Sequence, residues 1–178
     1  HIKVSLPYYI PMWLGFIPGM PSFGTMGAFI RIKAVIQSRR EYFDVGVAGP
    51  IAGFIIALLV LWYGFSHLPP AEYIFEIHPE YEVYGLDYAD HVYEAEEMAF
   101  QLGENIIFWF FKNFVADPTL LPHPNEIIHY PFILAGYLAL FFTAINLLPI
   151  GQLDGGHIVF GLFGSKVARR INQVFYTL

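Results

Sequence analysis

Residues Asn146 to Gly156 read Asn-Leu-Leu-Pro-Ile-Gly-Gln-Leu-Asp-Gly-Gly and follow an uncharged apolar run from Tyr130 to Ile145. A carboxylate at Asp154 therefore arrives at or near membrane depth. On insertion scales an Asp at the bilayer centre costs ~2.5–3.5 kcal/mol, so it is retained against a partner, a cavity or a bound cation. Pro149 has no amide hydrogen to offer the carbonyl of Ile145, and Gly151, Gly155 and Gly156 loosen the backbone after it. The helix is expected to break here. Unwound backbone at that depth is tolerated only where it lines a protein-enclosed or watery cavity, which makes the break a candidate site.

The rest of the chain agrees with a membrane setting. Its 178 residues are 56% hydrophobic and 13% charged, with a mean hydropathy of +0.51, whereas soluble domains carry about 25% charged residues. There is no cysteine, which excludes disulfides and thiolate metal sites. Charge is segregated: twelve of the fifteen acids lie between Ser66 and His129 with a single base, Lys112. The other eight bases, among them Arg31, Lys33, Arg39, Arg40, Lys166, Arg169 and Arg170, flank the apolar runs on their far sides. The positive-inside rule puts those clusters in the cytoplasm and the acidic segment outside. No basic stripe suited to nucleic acid is present.

The expected fold is a mainly α-helical, polytopic membrane protein with a small membrane-associated β segment near the N-terminus. Residues 1–37 form a proline-rich entry and that β segment, in which Phe23 to Lys33 reads as a strand or hairpin, or else as a covering loop. Residues 38–65 contain the first transmembrane helix, from Asp44 to Phe65. Its Ala48-Gly49-Pro50-Ile51-Ala52-Gly53 stretch has small side chains spaced for close helix packing. Residues 66–129 form an acidic external segment, with an interfacial aromatic helix from Asn105 to Val115. Its histidines, His67, His78, His91, His123 and His129, are read as surface or interfacial groups in preference to ligands. Residues 130–178 hold the second span, the break and a following helix.

The motif from Asn146 through Pro149 and Leu153-Asp154-Gly155 to Gly156 resembles the NxxPxxxLDG signature of the site-2 protease family of intramembrane zinc metalloproteases. Gly49 and Pro50 resemble that family's AGP-containing helix, and Phe23 to Ile30 its membrane-associated β segment; the order of elements also agrees. The resemblance implies a zinc-dependent protease acting on membrane-protein substrates within the lipid bilayer. It aligns Asp154 with the third zinc ligand and Asn146 with a catalytic asparagine that donates to the substrate carbonyl or oxyanion. It puts Gly24 and Gly27 in a segment that presents an extended substrate as an added strand. His157 is expected to support the ligands from behind or to cap a helix.

The family's HExxH helix, which supplies two His ligands and a Glu base, is absent from the sequence. The chain is therefore expected to be a fragment, inactive alone, from a multi-pass protein of a bacterial cell membrane with its active site toward the cytoplasm. Two other classes fit parts of the pattern. An ion-coupled transporter could use Asp154 to bind a proton or sodium in a broken helix, and a catalytically dead scaffold could use it as a helix N-cap.

Overall fold

A computed structural model describes residues 8–11, 25–29, 36, 38–93 and 103–177. Helix α1, Arg39–Ser66, is the axis on which the others pack. It starts five residues before the expected Asp44 because Ser38 and Glu41 form a capping box: the Glu41 amide donates to Ser38 Oγ at 3.2 Å and the Ser38 amide to Glu41 Oε2 at 3.3 Å. Its 28 residues extend about 42 Å, more than the ~30 Å of hydrocarbon. Only 22% of its most apolar stretch is buried. Ile51, Phe54, Ile55, Leu59 and Trp62 all point outward. The core helix of a water-soluble domain would bury such side chains, so this face suits an apolar environment beyond the described residues.

The acidic segment folds into short pieces: α2 (Tyr73–Ile77), a 3-10 stretch (Pro79–Asp87), α3 (Tyr88–Val92), α4 (Ile106–Phe114) and a second 3-10 turn (Pro124–His129). Asn105 starts α4 by accepting from the amides of Ile107 and Phe108 at 3.1 and 3.0 Å. One face of α4 sends Phe108 and Phe111 into the core against Phe65, with ring centroids 5.1 and 6.1 Å away. The opposite face exposes Ile106, Trp109, Phe110 and Phe114, as an interfacial helix would.

Helix α5, Pro131–Asn146, runs beside α1. Glycines on alternate helices admit the neighbour: Gly136 lies under Leu61, Gly64 against Ile133, and Gly53 against Thr143 Oγ1. Two membrane spans were expected, yet among the described residues α1 is the one helix long and apolar enough to cross. Pro131 begins α5 and the break after Asn146 ends it, so its 16 residues reach about 24 Å. Helices α6 (Asp154–Phe163) and α7 (Ser165–Thr177) follow, joined at Gly164, whose φ of 80° suits glycine alone.

Near the N-terminus, β1 (Tyr8–Pro11) and β2 (Thr25–Phe29) pair antiparallel, with Tyr8 opposite Phe29 and Ile10 opposite Gly27. Gly24 lies outside the described residues.

Candidate active site at the helix break

The break spans the residues between Asn146 and Asp154. The Leu147 amide still reaches back to Thr143 and Ala144, and that of Leu148 to Ile145; Pro149 then has no amide to continue the ladder. Gly151 turns the chain with φ 52°, a conformation costly for any residue with a Cβ. Its amide donates to Asn172 Oδ1 at 2.8 Å, so α7 reaches back to fix the turn.

Two glycines then let α6 begin directly on the unwound backbone. A Cβ at Gly155 would lie 2.1 Å from the Leu147 carbonyl oxygen and 2.4 Å from that of Leu148, and one at Gly156 would lie 2.4 Å from that of Gly151. At its other end, α6 is tied to the start of α1, where the Arg39 guanidinium donates to the carbonyls of Gly161 (3.1 Å) and Leu162.

These supports place Asp154 at the first residue of α6, half-buried, with its carboxylate on the backbone of α1: a Cβ added at Gly49 would stand 3.2 Å from Asp154 Oδ2. Gly46, one turn earlier on α1, faces the Asp154 carbonyl and the Cβ of His157 in the same way. The Asp154 carboxylate accepts no hydrogen bond from any described residue. Leu153 occupies the N-cap position, without a side-chain cap. The use of Asp154 as a helix cap is therefore not what this geometry provides. The His157 ring stacks on Tyr42 of α1 at 5.9 Å, and its amide bonds Leu153. Asn146 ends α5 with its side chain exposed.

The fold thus brings Gly49, Pro149, Asp154, Gly155, Gly156 and His157 around one break, with Asn146 at its edge and Pro50 buried within α1. Gly27 sits in β2, opposite Ile10. Sequence reasoning missed Asn172, 21 residues from the turn it holds, and Arg39, which was read only as a topology signal. It also set aside His78 and His129, which converge on Glu126; the Glu126–His129 spacing of three was a local signal for that pair.

The contact with Gly49 predicts that Gly49→Val displaces the Asp154 carboxylate, because a branched side chain cannot fit in 3.2 Å. Separation of α6 from α1, read as cross-linking lost between cysteines placed on the two helices, is the expected result. Unaltered cross-linking would mean that this contact does not set their approach.

As a donor set for a metal, the described residues bring one carboxylate to the break, Asp154. Among them, the one group of three candidate ligands lies elsewhere, in the acidic segment.

The profile of peptidase family M50 matches residues 13–178. The chain is 28% identical over 173 residues, 97% of its length, to "Probable zinc metalloprotease EGY2, chloroplastic" of Oryza sativa subsp. indica. It is also 28% identical to the protein of that name in Arabidopsis thaliana, over 96% of its length. To "Probable zinc metalloprotease EGY1, chloroplastic" of Arabidopsis thaliana it is 28% identical over 93%. It spans about a quarter of the length of these relatives, 26%, 25% and 25%. Their names assign those proteins to chloroplasts, a setting different from the bacterial cell membrane expected from the sequence. No solved structure matches the chain.

Proposed function

The chain belongs to peptidase family M50, and on that premise we propose that it supplies the aspartate ligand and the substrate-facing break of a zinc metallopeptidase that cleaves membrane-embedded segments. The observation that carries the reading is Asp154 itself, a half-buried carboxylate with no hydrogen-bond donor among the described residues, set against a glycine backbone at the one broken helix they contain. Such a group is kept at that cost only for a cation or a proton. A carboxylate oxygen suits zinc, and the HExxH helix that the family resemblance implies would supply the remaining ligands. The names of the relatives support the choice of metal.

In this reading α1 crosses the bilayer, α5 and the break form a second crossing, and the basic clusters at Arg39–Arg40 and Lys166–Arg170 face the same side. When bound, zinc would lower the pKa of a coordinated water to about 7 and would polarise the scissile carbonyl. Asp154 anchors one ligand position from the first turn of α6, where the helix N-terminus favours its negative charge. Asn146, exposed at the end of α5, donates its amide hydrogens to the substrate carbonyl as charge develops there. The substrate must enter extended, since a helix hides its carbonyls in its own ladder. β2, with Gly27 in it, offers an edge for it on the side that no described strand pairs.

The test is cleavage of a membrane-protein substrate in lipid by the protein carrying the proposed HExxH helix. A chelator should stop it and zinc restore it; chelator-resistant cleavage would refute a metallopeptidase. In the same assay Asn146→Ala should lower turnover by about 100-fold, the loss typical of an oxyanion donor, while zinc content is kept. Equal loss of zinc and turnover would make Asn146 a structural residue.

A transporter would need a second broken helix to complete its ion site. The described residues contain one.

A further inference from the structure

Among its described residues, the acidic segment buries one charged side chain almost completely. Glu126, in the 3-10 turn before α5, is 1% exposed. A carboxylate withdrawn from water in this way requires positive charge or several donors. Its Oε1 accepts from the Tyr93 hydroxyl, which burial, reinforced by Glu126 itself, keeps protonated. Its Oε2 lies 3.5 Å from His129 Nε2 and 3.8 Å from His78 Nε2, and these two nitrogens are 3.2 Å apart.

Those three edges, 3.2, 3.5 and 3.8 Å, are close to those of a coordination polyhedron. Ligands bound to zinc at ~2.0–2.1 Å in a tetrahedron stand about 3.3–3.4 Å from one another. The orientation of His78 is set as a ligand needs. Its Nδ1 lies 3.2 Å from Glu80 Oε1, and because an ionised carboxylate only accepts, Nδ1 carries the hydrogen and Nε2 presents a lone pair to the triangle. Tyr81 stacks on the same ring at 4.6 Å, and the Tyr73 hydroxyl donates to the His129 carbonyl. Without a cation, two imidazole nitrogens and a buried carboxylate oxygen crowd one point with a proton as their only mediator.

We propose that His78, Glu126 and His129 form a second metal site, for zinc or a similar first-row divalent ion, that pins the Pro79–Asp87 stretch to the turn leading into α5. Two imidazoles with a single carboxylate suit such ions; magnesium and calcium prefer oxygen-only shells. The site is distinct from the helix break. His129 lies two residues before α5, whose start packs at Gly64 of α1, whereas Asp154 packs at Gly49, about 22 Å away along the helix. The proposal does not depend on the protease reading.

Zinc bound per chain, measured by elemental mass spectrometry after dialysis against zinc alone, tests it in the full protein. His129→Gln should remove one zinc equivalent whether residue 154 is Asp or Asn, and His78→Gln, on a separate segment, should do the same. In both, the zinc-induced rise in thermal midpoint should shrink. Zinc content unchanged in both would overturn the site. Where a variant fails to fold, zinc-edge anomalous scattering from the unsubstituted protein decides: density inside the triangle supports the site, and an empty triangle in zinc-saturated buffer refutes it.

Discussion

Asp154→Asn should abolish the proposed cleavage, lowering it by more than about 100-fold, beyond the 10–100-fold that residues behind a metal ligand typically cost. Asparagine is isosteric, so the contact with Gly49 and the start of α6 are kept. No hydrogen bond from a described residue is lost, because the Asp154 carboxylate accepts none. The favourable meeting of a charge with the helix N-terminus, worth ~0.3–1 kcal/mol, disappears, offset by the lower cost of burying a neutral amide. Stability therefore stays nearly level while the anionic ligand is lost. Parallel assays of cleavage, zinc content and thermal midpoint separate these effects. Wild-type cleavage by the variant would remove Asp154 from the chemistry, and a collapse in thermal midpoint would make it structural.

The second large effect is on stability, at a glycine with no chemistry of its own. Gly155→Ala places a Cβ 2.1 Å from the Leu147 carbonyl oxygen and 2.4 Å from that of Leu148. Both are backbone atoms of the break, so no side-chain rotation relieves the clash, and α6 must lift away from the end of α5. Overpacking of this kind costs about 1–3 kcal/mol, and more where backbone must move. At about 3 kcal/mol the thermal midpoint falls by roughly 6–12 °C for a chain of this size. Gly85, which has no atom within 4 Å of the Cβ position, offers a comparison with space but with φ 60°. A Gly155→Ala protein that melts with the wild type would show that α6 does not rest on the break.

The break was legible because its causes are local: Pro149 lacks a donor and three glycines follow within seven residues. The start of α1 was equally local, yet the reading began it at Asp44 by following hydropathy past the Ser38–Glu41 box. What Gly49 faces was not legible. Spacing says that two backbones can approach, but which helix arrives is decided by the return of the chain after the break, which lays the Asp154 carboxylate there. The same limit hid Asn172 beneath Gly151 and the meeting of His78 with His129, partners 21 and 51 residues apart. The second span was overestimated because the apolar run from Tyr130 to Leu148 includes residues that cap and break the helix at both ends.

Zinc-edge anomalous scattering from crystals of the active protein decides whether Asp154 holds the metal. The expected result is a zinc ion ~2.0–2.2 Å from an Asp154 carboxylate oxygen, on the side of that group not covered by Gly49. An active protein whose zinc lies away from Asp154, with that carboxylate bound only by protein or water, would contradict it.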